Sequence, residues 1–158
     1  MNKINEIISN EKYRAFLWEI EELEKEREFC RHNLNHFLDV ARIAYIMCLE
    51  KGMSYSKEVI YAIALLHDIG RGEEYKKNIS HDEASVKIAC EILEETSYTS
   101  EEKELILKGI DSHRNKYSED KFFNIIYKSD KISRNCFNCK AEKKCYWNKE
   151  KKNLIIKY

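Results

Sequence analysis

Four histidines and two aspartates, His36, His67, Asp68, His81, His113 and Asp130, form an ordered set in this chain. With His67 and Asp68 taken as one pair, 30, 12, 31 and 16 residues lie between successive positions. Imidazole and carboxylate groups ligate divalent cations, and several must converge because a lone ligand cannot offset the loss of the ion's hydration. Any one of these histidines, taken singly, reads as a hydrogen-bonded core residue; the joint set reads as a buried metal centre, with hydrolysis as its chemistry. Neighbouring residues on a helix point about 100° apart, so His67 and Asp68 share a centre only at a helix end or where the carboxylate bridges two ions. The fifth histidine, His32, precedes His36 by one helical turn and is a candidate for the pocket mouth, against a surface or supporting place.

A second set is sulfur. Cys136 and Cys139 stand two residues apart, Cys145 follows after five more, and Cys30 is the natural fourth ligand because it precedes His36 as closely as Asp130 precedes Cys136. Without an export signal, such thiols read as reduced or metal-binding. Structural zinc held by four thiolates is the leading reading, ahead of an iron-sulfur cluster and of free or redox-paired thiols. Cys48 and Cys90 fall within apolar helical patterns and read as small core residues.

Helices must carry these groups. Tyr13, Phe16, Leu17, Ile20 and Leu23 repeat at helical steps in an acidic first segment. A second helix is expected from about Glu28 to Lys51, ended by Gly52, with His36 near its middle and Cys30 at its start. A third, from about Ser56 to Ile69, is apolar nearly all round and should be central, with His67 and Asp68 at its end. Gly70 and Gly72 break the pattern before a capping box at Ser80–Glu83 opens a fourth helix at His81. Thr99 and Glu102 form a second box before a fifth helix ending at His113, and a sixth carries Asp130. Strand alternation is absent apart from Leu154–Ile156.

The chain's 158 residues suit one soluble domain with a real core. Mean hydropathy is −0.66. No stretch suits a membrane span or signal peptide, so a cytoplasmic location is expected. Net charge is zero, giving no overall argument for a nucleic-acid or anionic-membrane partner. Its distribution is uneven: residues 19–28 carry six Glu against one Lys and one Arg, whereas Lys128–Lys157 carries ten Lys/Arg against three acidic residues. Basic residues interleaved with Phe137, Tyr146 and Trp147 could stack on single-stranded nucleic acid, but packing of Phe137 and Trp147 onto the core is the preferred reading.

The stretches His36-Phe-Leu-Asp-Val-Ala-Arg42, Leu65-Leu-His-Asp-Ile-Gly70 and Lys128-Ser-Asp-Lys-Ile-Ser-Arg134 resemble the HD-domain metal-dependent phosphohydrolases over roughly residues 32–134. The resemblance implies an all-α helical bundle over 1–135, leaving 136–158 as a cysteine-rich basic tail packed on it. It implies His36, His67, Asp68 and Asp130 as ligands of a first metal, and it matches His81 and His113 to the extra histidines of two-metal members, in which Asp68 bridges. For His81 and His113 the competing role is phosphate binding or acid catalysis beside a single ion. The two-metal subgroup that these residues resemble includes bacterial diadenosine tetraphosphate hydrolases and cyclic-dinucleotide phosphodiesterases, usually with iron or manganese. A metal-activated water would then attack the phosphoryl group without a protein nucleophile.

Arg71, Arg114, Lys116, Lys131 and Arg134 are candidates for substrate phosphate contacts, Arg71 also standing near the reacting centre. One-metal members often carry a glutamate shortly after the His-Asp pair; here Arg71 occupies the third place after Asp68, and Glu73 or Glu74 is a substitute. The leading expectation is therefore hydrolysis of a phosphoester or phosphoanhydride in a nucleotide-like small molecule. The alternatives are a nucleotide-sensing or nucleic-acid- or protein-binding module with a metal-bound cysteine tail, and a di-iron oxygenase. The sequence leaves substrate and oligomeric state open.

Overall fold

The computed structural model describes residues 1–114 and 118–158. Its helices are α1 (Asn2–Ser9), α2 (Glu11–Leu23), α3 (Leu34–Glu50), α4 (Lys57–Leu66), α5 (Arg71–Lys77), α6 (His81–Glu94), α7 (Ser100–Asp111) and α8 (Lys121–Ile132), with short 3-10 turns at 112–114, 136–138 and 142–144. No strand occurs among the described residues. The fold class is therefore the all-helical bundle expected, and the Leu154–Ile156 segment is irregular and exposed.

The centre is α4. Val59, Ile60 and every residue from Ala62 to Leu66 are buried, so beyond its first turn this helix is covered nearly all round and packs against α1, α3, α6 and α7. Burial of apolar surface at about 25 cal/mol per Å² makes such a helix a large contributor to cohesion. Next to it, α3 contributes Phe37, Val40, Ala41, Ala44 and Cys48, and also packs on α8. α7 approaches α4 closely enough that a Cβ on Gly109 would lie 2.6 Å from Ile63 Cδ1.

Several boundaries differ from those expected. The second helix begins at Leu34 rather than near Glu28, because the Asn33 side chain accepts the His36 amide at 2.9 Å and sets the N-cap. His36 consequently lies in the first turn of α3, and Cys30 lies in the loop ahead of it. That loop is held from inside: the buried Glu24 carboxylate accepts both the amide and the ring Nδ1–H of His32.

Two helices escaped the sequence pattern. α1 is separated from α2 by Asn10, whose side chain accepts the Tyr13 amide. α5 forms despite Gly70 and Gly72, because Glu73 and Glu74 occupy its first turn and Lys76 and Lys77 its last, complementing the helix dipole. The Thr99–Glu102 capping box forms as read. The one at Ser80 does not, since Ser80 Oγ turns to the Asp82 carboxylate. Cys48 is buried but Cys90 is exposed, lying on the outer face of α6. Phe137 is 45% exposed, so it does not anchor the C-terminal segment as expected, while Trp147 is half-buried.

Candidate metal centre

The six residues meet at one end of the bundle, each placed by a helix terminus. His36 sits in the first turn of α3, His67 caps α4 with Asp68 just beyond it, and His81 opens α6. His113 lies in the 3-10 turn after α7, and Asp130 in the last turn of α8. All six are buried. Their ligand atoms fall into two groups, His36/His67/Asp68/Asp130 and Asp68/His81/His113, each with all atoms within 4.8 Å of one another.

Asp68 belongs to both groups, and its two oxygens divide between them. Oδ2 faces His67 Nε2 at 3.2 Å, whereas Oδ1 faces His81 Nε2 at 3.3 Å and His113 Nε2 at 3.7 Å. On the first side, Asp130 Oδ1 lies 3.3 Å from His36 Nε2 and 3.8 Å from His67 Nε2. A carboxylate so divided would bridge two ions if both groups were filled.

The outer nitrogens explain why the inner ones converge. His67 Nδ1–H donates to the Ala64 carbonyl at 2.7 Å and His113 Nδ1–H to the Ile110 carbonyl, both in the last turn of a helix. His81 Nδ1–H donates to Glu74 at 2.9 Å. Ser133 Oγ–H donates to the Asp130 carbonyl, leaving that oxygen to accept His36 Nδ1–H at 3.2 Å. Each neutral ring therefore turns an Nε2 lone pair inward, as supporting bonds around a metal require.

A cation fits this site on the protein's own chemistry. His36 Nε2 and His67 Nε2 are buried without a hydrogen-bond partner, and in the neutral rings their lone pairs would confront carboxylate oxygens. Without a cation, protonation must relieve that conflict. Burial disfavours a charged His67, but the Asp68 and Asp130 carboxylates outweigh it and push its pKa up to about 9. Burial pulls His36 and His113 down to about 4. Burial also opposes ionisation of Asp68 and Asp130, yet their histidine partners, with Arg71 beside Asp68 and Lys131 beside Asp130, hold both carboxyls well below the usual range.

A cavity of about 560 Å³ opens from the second group, lined by Asp68, His81, His113 and Asp130 together with Arg27, Arg71, Lys131, Arg134, Lys151 and Lys157. Arg71 Nε donates to Asp68 Oδ1 at 3.2 Å and Nη1 to Glu74 Oε2 at 2.9 Å. Lys131 Nζ lies 2.7 Å from Asp130 Oδ2, and Arg134 reaches back to the Arg31 carbonyl at 2.8 Å. Lys116 and the side chain of Arg114 lie outside the described residues. Glu73 pairs with Lys76 and Lys77, so it faces away from the centre.

The sequence reading overlooked some of this site. Glu24 holds His32, whose Nε2 lies 3.6 Å from Asp68 Oδ2; a lone glutamate in an acidic run gives no signal of that. Glu74, named in the sequence only as a substitute glutamate, carries His81, and Ser133 carries His36. Phe29, Tyr127, Tyr146 and Trp147 supply aromatic lining to the cavity. Around the sulfur set, Cys30, Cys136, Cys139 and Cys145 all line a neighbouring cavity of about 280 Å³. Among the described residues, the two His/Asp groups are the ones whose ligand atoms all come within 4.8 Å; no three of the thiols meet that spacing.

The family model described as HD domain matches residues 33–149. The chain belongs to the HD domain family. The match runs from the N-cap of α3, through the His67–Asp68 pair and Asp130, to the cysteine-rich segment. A protein of Clostridium beijerinckii (strain ATCC 51743 / NCIMB 8052), described as uncharacterized, is 44% identical over 158 residues, covering 100% of both chains. No solved structure matches. HD membership and the buried His/Asp cluster together indicate a metal-dependent hydrolase family and a divalent-metal site. No described helix is long and apolar enough to cross a membrane.

Proposed function

We propose that this HD-domain protein is a phosphohydrolase that cleaves a phosphoester or phosphoanhydride bond of a nucleotide-like small molecule with two divalent ions, iron or manganese. The observation that carries this reading is the division of Asp68 between two ligand groups at the floor of a cationic cavity. His36, His67, Asp68 and Asp130 would hold one ion; Asp68, His81 and His113 would hold the other. Bound there, the ions supply Lewis acidity to a phosphoryl oxygen and acidify water.

The protein's own side chains do the rest. Glu74 binds both His81 and Arg71, so one carboxylate orients a ligand and a guanidinium together. Arg71 and Lys131 flank the two sides of the centre and would bind non-transferred phosphate oxygens, with Arg134, Lys151 and Lys157 extending that charge outward. Trp147, Tyr146 and Tyr127 offer flat faces for a base, which favours a nucleotide over a bare phosphate ester. His32, hydrogen-bonded to Glu24 and facing Asp68, is placed to hold or pass a proton at Nε2.

The test is anaerobic loading with iron or manganese, followed by assay against nucleoside mono-, di- and triphosphates, dinucleoside polyphosphates and cyclic dinucleotides. Cleavage with release of phosphate or nucleotide, abolished by chelator and restored by metal, is expected. Fully loaded protein that cleaves none of these would overturn the reading. Oxygen consumption without phosphate release would point instead to di-iron oxygen chemistry, and nucleotide binding without turnover to a sensor.

A further inference from the structure

Four thiols that the hydrolase chemistry does not use remain to be explained. Cys30 comes from the loop ahead of α3, and Cys136, Cys139 and Cys145 from the segment after α8, yet all four line the same cavity of about 280 Å³. Cys136 is buried, the other three are half-buried, and none is paired in a disulfide.

The segment that carries three of them is held to the rest of the chain mainly by polar contacts and buries few side chains of its own. Beyond Ser133 its buried side chains are Cys136, Ala141 and Asn153, whereas Phe137, Tyr146, Leu154, Ile155 and Ile156 are exposed. Asn153 holds the segment through the Lys131 and Arg134 carbonyls, and Lys152 ties down Glu142. A stretch with so little apolar burial needs a crosslink to keep its shape.

The spacing of the thiols distinguishes the kinds of crosslink. Four sulfurs each about 2.3 Å from one zinc ion stand about 3.8 Å apart in a tetrahedron. Here no three thiols come within 4.8 Å of one another; they ring a cavity instead. A cubane cluster places each thiolate on a different iron, holding the sulfurs apart around a body of its own size. We infer that Cys30, Cys136, Cys139 and Cys145 ligate a four-iron, four-sulfide cluster that fastens the C-terminal segment to the loop ahead of α3.

A cluster on four thiolates is anionic, and the charged lining of the cavity is mixed: Arg134 and Lys152 would attract it, while Glu28, Asp39 and Glu142 stand beside them. Position gives it a consequence, since Cys30, Cys145, Arg134 and Trp147 line this cavity and the larger one beside the His/Asp centre. The cluster therefore forms part of the wall between them.

The test uses full-length protein purified without oxygen and read by acid-labile sulfide, which metal at the histidine site cannot supply. About four sulfides per chain, with broad sulfide-to-iron absorption, are expected. Cys139→Ala should lose the sulfide, whereas His67→Ala should keep it, so the result stands apart from any phosphohydrolase assay. Should Cys139→Ala fail to fold, reconstitution of unloaded wild-type protein with sulfide and equal parts of ferrous and ferric iron, which supply the core's mixed oxidation state, gives the same readout. One thiolate-held zinc per chain with no labile sulfide, or four freely titrating thiols after reconstitution, would overturn the inference.

Discussion

Replacing Gly70 by alanine tests how the two ligand groups are spaced. Its φ is −84°, which alanine adopts readily, so backbone conformation is not the obstacle. Contact is. A Cβ there would stand 2.4 Å from Ser85 N, 2.6 Å from the His81 carbonyl oxygen and 2.7 Å from Ala84 C, all main-chain atoms of α6. Ordinary contact begins at 3.4 Å, so the start of α6 must retreat by about 1 Å, carrying His81 with it; metal ligands tolerate about 0.2 Å. Overpacking of this kind costs about 1–3 kcal/mol. Weakening the bond from Gly70 N–H to Ser85 Oγ, 2.9 Å long, adds about 1 kcal/mol. The expected destabilisation is about 2–4 kcal/mol, lowering the urea midpoint by roughly 1 M or more. Metal titration should give two ions in the wild type and one in the variant, retained by His36, His67, Asp68 and Asp130. A variant that unfolds at the wild-type midpoint and binds both ions would refute the argument.

Further predictions concern the centre and its cavity. His67→Ala should abolish turnover and remove the first-group metal while leaving the far-ultraviolet helical signal intact; full activity would sink the hydrolase reading. In metal-free protein, His67 stabilises the fold fully below its unfolded pKa near 6.5, and that contribution is lost as pH rises through about 9. His36 and His113, lowered to about 4, stabilise it above pH 6.5 and lose that contribution as pH falls toward 4, and burial lowers His32 in the same direction. The apoprotein should therefore be most stable near pH 6.5, with a slope on each side of up to about 1.4 kcal/mol per pH unit for each fully titrating histidine. Urea unfolding across pH 5–9 in chelator measures this, and a midpoint that rises steadily to pH 9 would contradict it. Lys131→Met should leave metal content unchanged but raise KM about ten- to a hundredfold, the worth of one charged hydrogen bond to phosphate.

The sequence made the centre legible because its ligands are chemically distinctive and sit at the ends of long apolar helices. α4 announces itself through the run Val59–Leu66, and α7 through its capping box. Elements defined by contact rather than periodicity were less visible. α5 has seven residues and one buried glycine, so its amphipathic signal is short, and its helix is supported by Glu73–Lys77 pairing and by α2. The start of α3 was placed too early because residues 28–33 are compatible with helix, and only the folded chain shows Glu24 reaching round to His32. Cys90 shares the helical apolar pattern of its neighbours but points to solvent, since periodicity fixes a stripe's width only loosely.

The anchors of the histidine rings differ in how far substitution can reach them. His67 and His113 lean on the carbonyls of Ala64 and Ile110, which every amino acid supplies, so no side-chain replacement at those two positions deletes the anchor itself. His81 and His32 depend on the carboxylates of Glu74 and Glu24, which a single codon change can remove. One ring in each ligand group, His67 and His113, is thus anchored by the backbone, whereas its neighbour, His36 on Ser133 or His81 on Glu74, is anchored by a side chain. Divergent chains on this scaffold can retune each group through that side-chain-held ring while the backbone-held ring stays in place.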